Sequence, residues 1–445
     1  MATVAPFRGI RFNPEKVKSL ADVVTPPYDV IDPAAQDRYY RRHPNNIIRL
    51  EYGKVLEGDG PGSSRYTRAA SDYTAWLEEK VLAPENEPAF YLYEQEFTAG
   101  GSKRVRTGFF CAVKLEPYEK GVVLPHEETL PKHKADRLEL MRACRANFSP
   151  IFSLYADQEM AVTGALREAA GHRAPDAACT DEGGEIHRLW VISDQSAVNT
   201  VRKIMNEKRI FIADGHHRYE TALNYRAERL AGGGGSGAFN YVMMALVNLY
   251  DPGLVVLPTH RLVRNAAGND VSSLIKRIQE DFSLEEFPLS PGMDNFNEFL
   301  DLMARRGAGS AGDLRHRHVF GVYTGGGRLF TASLKDEDQL AKLMPGGKSP
   351  AWQGLDVSVL HSLIIEKYLG IGQELLARGE HITYTREEVG ALRAVDSGDY
   401  QVALFLNPTL VEEVTEVAAN GEKMPQKSTY FYPKIITGLM INSLE

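Results

Sequence analysis

The sequence predicts an α+β protein with more than one domain. At 445 residues the chain is two to three times the length of a typical domain of about 150 residues. Short runs with strand character alternate with segments of helical periodicity along the chain. Hydrophobic residues make up 43% and charged residues 25%, as in ordinary globular proteins. These observations indicate large buried cores built from both kinds of element.

The first part of the chain mixes both kinds of element closely. Residues of alternating polarity favour strands, and apolar residues spaced three and four apart favour helices. The predicted elements are a weak strand at 46–50, a helix at 64–79, a hairpin of strands at 89–96 and 106–115 around Gly100-Gly101, a helix at 136–145 with Asp136 at its start, and a strand at 151–155.

The middle of the chain reads as strand, helix, strand and helix in succession. The predicted elements are strands at 189–192 and 210–213, helices at 195–207 and 216–230, and strands at 241–249 and 254–257. Residues 232–237 are glycine-rich and predict a flexible surface loop inside this region.

A second alternating region begins near residue 270. Its predicted elements are helices at 271–280, 293–304 and 357–368 and strands at 318–323, 328–333 and 400–406. After the last strand, Asn407 is predicted to cap a helix with Pro408 at its first position, and Asn420-Gly421 is predicted to end it.

Charge and cysteine content exclude several classes of protein. The formal net charge is −8, without a local basic patch, so no nucleic-acid partner is expected. Cys111, Cys144 and Cys179 are widely spaced, which suits a reducing compartment. No signal-peptide pattern and no apolar window of about 20 residues is found, so we expect a cytoplasmic protein without a membrane partner. The oligomeric state stays open.

Asp214-Gly215-His216-His217-Arg218 is the most informative motif. An apolar run delivers it and a helical pattern follows. Gly215 permits a tight turn, and the amides at the helix start, with His216, His217 and Arg218, can surround a phosphate. The structural alternative is that Asp214 merely caps the helix and Arg218 is a surface cation.

A second motif is Leu124-Pro125-His126-Glu127-Glu128-Thr129, followed by Lys134 and Arg137. A carboxylate in such a loop can take a proton from a hydroxyl or hold a metal, and Lys134 and Arg137 can bind phosphate. The alternative is a solvated charged loop in which Asp136 caps the next helix.

The third motif runs from Met424 to Lys434. Lys427, Ser428 and Thr429 suit phosphate or carboxylate binding, but no glycine-rich loop of Walker spacing precedes them. An aromatic-rich strand end is the alternative. The histidines at 126, 133, 216 and 217 match no zinc-binding spacing, so zinc is disfavoured and any metal ligand stays unknown.

In their order along the chain, these motifs resemble those of free serine kinases in the ParB/sulfiredoxin-like superfamily. The whole chain is more closely similar to the domain-of-unknown-function 1015 family. The matching segments are Pro125-His126-Glu127, Ala213 to Arg218, 399–409, and Gly421-Glu422 with Met424-Pro425 and Lys427-Ser428-Thr429.

The resemblance implies a nucleotide-binding core at 121–265, an amino-terminal α+β extension at 1–120, and a carboxy-terminal α/β domain at 266–445 that contributes to the site. It implies ATP or ADP as phosphoryl donor and Mg²⁺ as cofactor. Glu127 is then the catalytic base and Asp214 a polar or Mg²⁺-linked partner, with His216 also catalytic. Gly215, His217, Arg218, Lys134, Arg137, Lys427, Ser428 and Thr429 bind the nucleotide.

The functional prediction is a nucleotide-dependent kinase that phosphorylates a small hydroxyl metabolite, with free L-serine as the first candidate. The alternative is a nucleotide-binding or nucleotide-hydrolysing switch that changes conformation without transfer. A sulfiredoxin-like reductase would need a reactive cysteine at the 214–218 turn, and the three cysteines lie elsewhere in the sequence.

Overall fold

The computed structural model describes residues 1–60, 62–127, 131–266, 271–308 and 317–445. Glu128 and Thr129 of the second motif lie outside these residues, as does the side chain of His133. The chain forms two compact units: a first unit of Met1–Val255 with Phe431–Glu445, and a second unit of Val256–Tyr430. Residues 1–120 and 121–255 thus share one unit, and the division into three domains stays a prediction.

Among the described residues, the strands are β1 (Val4–Ala5), β2 (Ile10–Phe12), β3 (Leu82–Pro84), β4 (Phe90–Ala99), β5 (Ser102–Lys114), β6 (Val123–Leu124), β7 (Ala146–Asn147), β8 (Ile151–Tyr155), β9 (Ala177–Thr180), β10 (Ile186–Ile192), β11 (Ile210–Asp214), β12 (Tyr241–Asn248), β13 (Val255–Leu257), β14 (His260–Val263), β15 (Phe282–Pro288), β16 (Val319–Tyr323), β17 (Arg328–Leu334), β18 (Ile382–Thr385), β19 (Val402–Phe405), β20 (Tyr430–Tyr432) and β21 (Asn442–Ser443).

The helices of the same residues are α1 (Pro33–Arg42), α2 (Ile48–Glu51), α3 (Arg65–Glu78), α4 (Pro131–Cys144), α5 (Ala161–Ala170), α6 (Gln195–Met205), α7 (His216–Ala231), α8 (Val271–Ile278), α9 (Phe296–Gly307), α10 (Leu340–Leu343), α11 (Pro350–Gln353), α12 (Asp356–Val359), α13 (Gln373–Arg378), α14 (Glu388–Asp396) and α15 (Val411–Ala419). A π-helix, Leu360–Tyr368, continues α12, and Tyr28–Val30 forms a single 3₁₀ turn.

A mixed sheet dominates the first unit. Its strand order is β6-β11-β8-β12-β5-β4-β10-β9, and β1 pairs with β5. The predicted hairpin of β4 and β5 is confirmed, and it turns at Gly100 and Gly101, whose φ angles of 56° and 72° suit glycine. Apolar side chains of α5, α6 and α7 pack with the sheet in one core, and this burial stabilises the sheet that carries the first two motifs.

The amino-terminal region adds a second core to the same unit. Phe12 of β2 and Tyr73 and Trp76 of α3 pack with Leu140 and Cys144 of α4. The helix predicted at 64–79 is confirmed as α3, and Ser64 caps it through a capping box with Thr67. Because α4 follows the Glu127 motif, this core fixes the amino-terminal residues against the region of the predicted site.

The second unit has a sheet of its own, in the order β15-β17-β16-β19-β14-β18. Neighbouring residues of β16 enter different cores, as expected for side chains that alternate between the faces of a strand. Phe320 packs in the core that includes α8 and the π-helix, whereas Val319 packs in the core that includes α9 and α14. The unit is therefore a sheet with helices on both faces.

Three local predictions are wrong. The predicted strand at 46–50 is instead α2, because the Asn46 side chain accepts a hydrogen bond of 3.0 Å from the Ile48 amide and starts a helical turn. Asp136 does not cap α4, which begins at Pro131. The last helix begins at Val411 rather than Pro408, since Glu413 accepts a hydrogen bond of 2.7 Å from the Leu410 amide and caps it there.

Hydropathy adds one observation about the helices. None of those built from described residues is both long and apolar enough to cross a membrane.

Candidate functional site

Two of the predicted motifs meet at one edge of the large sheet. β6 and β11 are parallel neighbours, with Val123 opposite Ile210 and Leu124 opposite Phe211. Parallel strands end at the same edge of a sheet. The residues that follow them, Pro125 to Glu127 and Gly215 to Arg218, therefore emerge side by side.

Histidines connect the two motifs. The His126 amide donates a hydrogen bond of 3.2 Å to Nε2 of His216, and the two rings are 4.7 Å apart. His126 Nδ1 lies 2.7 Å from the carbonyl oxygen of Ile212, to which it donates when protonated. Burial lowers the pKa of His126 and lowers the pKa of His216 well below its usual value, so both imidazoles are neutral at pH 7. This contact holds the backbone preceding Glu127 against the first turn of α7.

Asp214 pairs with two cations. Its Oδ1 accepts a hydrogen bond of 2.5 Å from Lys434 Nζ, and its Oδ2 accepts one of 2.7 Å from Arg218 Nη2. Burial alone would raise the pKa of Asp214, but the charges of Lys434 and Arg218 outweigh it and hold that pKa well below the usual range. Asp214 is not the helix cap, since Gly215 occupies that position, and the capping alternative is wrong.

The turn itself needs glycine. Gly215 has a φ of 99°, and a Cβ there would lie 2.9 Å from the Arg218 guanidinium, which folds back over the turn. Arg218 also donates to the carbonyl of Pro150. The N-cap position of the 16-residue helix α7 is Gly215, which supplies no side-chain cap, and the positive end of the helix dipole at this position favours an anion.

A buried network fixes the backbone around Lys434. Arg106, which is 1% exposed, donates to the carbonyls of Tyr432 at 3.1 Å and Pro433 at 2.6 Å and to Gln95 Oε1 at 2.5 Å. Gln95 Nε2 donates to the Lys434 carbonyl at 3.1 Å. These bonds hold the segment from which Lys434 reaches Asp214.

Arg137, a predicted phosphate ligand, is buried among residues of the amino-terminal region. It donates to the Glu51 carbonyl at 2.8 Å, pairs with Asp136 at 2.6 Å, and lies 4.1 Å above the ring of Tyr28. Arg137, Glu51 and Arg218 line one cavity of about 30 Å³, room for a single water molecule.

Lys134 lies on a different surface, the flank of α7. It pairs with Glu220 at 2.8 Å. Both line an open cleft of about 430 Å³ with Tyr118, Leu223 and Asn224, a volume within the range of small-molecule sites.

Residues 424–430 of the third motif belong to the second unit, whereas residues 431–434 belong to the first. Lys427 is exposed and has a φ of 56°. Arg261 Nη2 donates to its carbonyl at 3.1 Å, and Thr409 Oγ1 donates to the carbonyl of Ser428 at 2.9 Å. Ser428 is buried and donates to the Pro425 carbonyl, whereas Thr429 is partly exposed.

A group with metal-binding donors lies outside the three sequence motifs. Among the described residues, Asp181, Glu185 and His187 bring ligand atoms within 4.8 Å of one another. His187 Nε2 lies 3.2 Å from Asp181 Oδ2, and its Nδ1 lies 2.7 Å from the Tyr93 hydroxyl. The group lies in the β9–β10 hairpin region and includes none of the histidines of the predicted motifs.

The cysteines do not provide a reactive thiolate. Burial raises the pKa of Cys111 well above its usual value and raises those of Cys144 and Cys179 to about 12. A reductase needs a lowered thiol pKa. These three thiols therefore lack the property that a sulfiredoxin-like reaction requires.

The structure thus brings His126 into contact with His216 and Asp214 into contact with Arg218, with Glu127 next to His126 in the chain. His217 is partly exposed on the first turn of α7. Sequence reasoning missed Lys434, Tyr28 and Glu51, whose roles depend on contacts between distant segments. Lys434 lies within the third motif, but its local sequence does not indicate that it pairs with Asp214.

A family model described as "Protein of unknown function (DUF1015)" matches residues 4–358. The chain belongs to the DUF1015 family. The matched region begins at the first residue of β1, so the amino-terminal region belongs to the family as much as the motif-bearing strands do. Among curated proteins, no match to this DUF1015 protein is found.

Several solved structures are similar to this DUF1015 protein at low identity. A free serine kinase in complex with AMP is 14% identical, covers 75% of this chain and 92% of its own, and has a TM-score of 0.33. A conserved hypothetical protein from Pyrococcus furiosus is 15% identical, with coverages of 75% and 95% and a TM-score of 0.32. C-terminally truncated SbnI from Staphylococcus aureus is 11% identical, with coverages of 75% and 87% and a TM-score of 0.34.

Proposed function

We propose that this DUF1015 protein is a nucleotide-dependent phosphotransferase of the ParB/sulfiredoxin-like superfamily that phosphorylates a small hydroxyl metabolite, with free L-serine as the first acceptor. The observation that carries the proposal is the parallel pairing of β6 and β11, which delivers a carboxylate motif and a phosphate-type turn to one sheet edge. Phosphoryl transfer requires mainly positioning and charge stabilisation, and this edge offers both.

In the proposed reaction the acceptor hydroxyl oxygen attacks the terminal phosphorus of ATP or ADP. The new O–P bond forms as the bond to the bridging oxygen breaks, and the nucleotide leaves with one phosphate fewer. Glu127 takes the hydroxyl proton. A carboxylate beside the reacting hydroxyl suits this task because general-base catalysis depends on reach before pKa.

The phosphates would lie at the start of α7. The positive end of the α7 dipole and the guanidinium of Arg218 would stabilise the developing negative charge, and His217 lies on the same turn. His216 holds the two motifs together through the His126 amide. That Lys427, Ser428 and Thr429 also bind the nucleotide stays a prediction from the sequence motif.

Asp214 does not fit as a magnesium ligand in this arrangement. Each of its carboxylate oxygens already accepts a hydrogen bond from a cation, Lys434 or Arg218. We therefore assign Asp214 to orienting Arg218 and Lys434, and no reaction step is assigned to a protein-bound Mg²⁺.

The test is a transfer assay on the full chain. Purified protein is incubated with Mg²⁺, with ATP or ADP, and with a pool of hydroxyl metabolites that includes L-serine, and products are identified by mass spectrometry. We expect a phosphorylated acceptor and the matching nucleotide product. Nucleotide binding measured by calorimetry without transfer to any acceptor would contradict the kinase and favour the conformational switch.

A further inference from the structure

The hairpin of β9 and β10 carries metal-binding side chains on one face. His187 of β10 lies opposite Cys179 of β9 in the antiparallel register. The Asp181 amide donates to the Glu185 carbonyl at 3.0 Å, which extends the pairing toward the turn. Opposite residues of an antiparallel pair, and residues two apart along a strand, project from the same face of a sheet. Asp181, Glu185 and His187 therefore point to the same side of the hairpin.

The spacing of their ligand atoms fits one small cation. One atom from each of the three side chains lies within 4.8 Å of the other two, and His187 Nε2 lies 3.2 Å from Asp181 Oδ2. Bonds from Zn²⁺ to imidazole nitrogen or carboxylate oxygen are about 2.0–2.2 Å long, so two ligands of one ion are at most about 4.4 Å apart. A small closing movement of the side chains is enough to meet that limit.

Two of these side chains are held so that a ligand atom faces the group. Asp181 Oδ1 accepts hydrogen bonds of 2.9 Å from two backbone amides, which leaves Oδ2 toward His187. His187 is 1% exposed, and its Nδ1 lies 2.7 Å from the Tyr93 hydroxyl. A metal-ligating histidine almost always uses its other ring nitrogen in such a hydrogen bond, which fixes the orientation of the ring.

The two carboxylates have no lysine or arginine as an ion-pair partner within the described ranges of the chain. Asp181 pairs with His187 alone. Glu182, which lies between them in the turn, differs in this respect because it pairs with Arg42 at 2.7 Å. The buried guanidinium of Arg106 donates to Gln95 and to backbone carbonyls instead. Carboxylates that are partly removed from water are normally paired or bind a metal, so this group suits a cation as its ligand.

We propose that Asp181, Glu185 and His187 bind one divalent transition-metal ion, with Zn²⁺ as the first candidate. Mg²⁺ and Ca²⁺ prefer oxygen ligands, whereas Zn²⁺ binds imidazole and carboxylate alike. Three protein ligands leave one coordination position for water. The proposal does not depend on the proposed function, because metal binding can be measured without any transfer reaction.

The site adjoins the backbone that carries Lys434. Gln95 Nε2 donates to Glu185 Oε2 at 3.2 Å and to the Lys434 carbonyl at 3.1 Å. The side chain of Tyr432 also forms a hydrogen bond with Glu185. A metal ion held by Glu185 therefore stabilises the hairpin together with the segment from which Lys434 reaches Asp214, and we assign it a structural role.

The experiment measures Zn²⁺ binding to the full chain. Protein is stripped with EDTA, freed of the chelator by gel filtration and titrated with Zn²⁺ in a calorimeter. The test variants are Asp181→Asn and Glu185→Gln, both at partly exposed positions. The controls are Glu182→Gln, which removes the neighbouring carboxylate, and His172→Gln, which removes an exposed histidine of the same unit.

We expect wild type and both controls to bind one equivalent of Zn²⁺ tightly. Affinity should fall by at least about 10- to 100-fold in Asp181→Asn and Glu185→Gln, because the loss of even an outer partner of a metal ligand has that effect. Zn²⁺ should also raise the Tm of wild type, since it binds the folded chain, and should raise it less in the two test variants.

Two results would overturn the site. Wild type that binds Zn²⁺ no more tightly than Glu185→Gln would leave Asp181 and His187 as an ion pair without a metal. A loss of affinity in His172→Gln or Glu182→Gln as large as in the test variants would show adventitious binding at the surface. Circular dichroism of each variant without metal confirms that the compared chains are folded.

Discussion

The turn at 214–218 and the loop at 426–429 look alike in sequence, since each combines a cation with small residues suited to phosphate. Their structures differ. In the turn, the left-handed position is a glycine, a 16-residue helix follows, and Arg218 and Lys434 share Asp214. In the loop, the left-handed position is Lys427, a three-residue strand follows, and Arg261 and Thr409 hold the backbone.

The turn and the loop therefore differ in how far they are preorganised to bind an anion. The turn combines charges held in place by ion pairs with the positive end of a long helix, an arrangement that suits a phosphate. The loop offers one exposed lysine whose backbone is held in a conformation costly for a residue with a Cβ. We therefore infer that the proposed chemistry depends on the turn and on Glu127 rather than on the loop.

The largest expected effect tests that assignment. Glu127→Gln keeps the size of the side chain but cannot accept the proton, so transfer should fall by about 10²- to 10⁴-fold with little change in nucleotide affinity. Lys427→Met should lower transfer far less. Transfer rates and calorimetric Kd values are compared with Glu159→Gln, a change at an exposed carboxylate elsewhere. A larger loss from Lys427→Met would reverse the comparison.

The elements of the turn follow from local sequence. An apolar run, a glycine and a helical period specify β11, Gly215 and α7 without knowledge of the rest of the chain, and these predictions are confirmed. The β6–β11 pairing was not specified locally, but the order of the motifs along the chain pointed to one shared edge. The assignment of catalytic roles to these residues stays a prediction.

The partners of the turn could not be predicted in this way. Lys434 and Asp214 are 220 positions apart. Their contact depends on Arg106 and Gln95, which hold the backbone around Lys434. Tyr28 likewise meets Arg137 of α4 only through tertiary packing, in which amino-terminal residues share a core with that helix. Such contacts are tertiary, and no periodicity or motif spacing encodes them.

Removing the arginine of the turn is expected to have the next largest effect. Arg218→Ala should weaken nucleotide binding by about 1.5–3 kcal/mol, because a charge-assisted hydrogen bond to phosphate is lost. Calorimetry with ATP and ADP measures this, and Arg209→Ala, at an exposed arginine just before β11, is the control. Equal affinity in Arg218→Ala and wild type would remove the turn from the nucleotide site.

The ion pairs of Asp214 predict a dependence of stability on pH. Lys434 and Arg218 hold the folded-state pKa of Asp214 well below its unfolded value of about 3.9. The ion pairs of Asp214 therefore stabilise the folded state fully above pH 4, and this contribution is lost as the pH falls through the folded-state pKa of Asp214. Urea unfolding should show Asp214→Asn destabilised by roughly 1–2 kcal/mol at pH 7, and less so at pH 3. A difference that does not shrink in acid would contradict the ion-pair account.

The smallest effects, and the sharpest contrast between the two segments, concern their backbones. Gly215→Ala should destabilise the protein by about 1–2 kcal/mol, because alanine is disfavoured at positive φ and its Cβ would meet the Arg218 guanidinium. Lys427→Gly should relieve a similar strain at a φ of 56°, but the greater freedom of glycine in the unfolded chain offsets about 0.5–1 kcal/mol of that gain. The free energy of unfolding should therefore fall in the first variant and stay level or rise slightly in the second, as urea titrations of both can measure. If both variants lost stability equally, Arg261 and Thr409 would have to hold the loop in a way that depends on the lysine side chain, and the loop would be as organised as the turn.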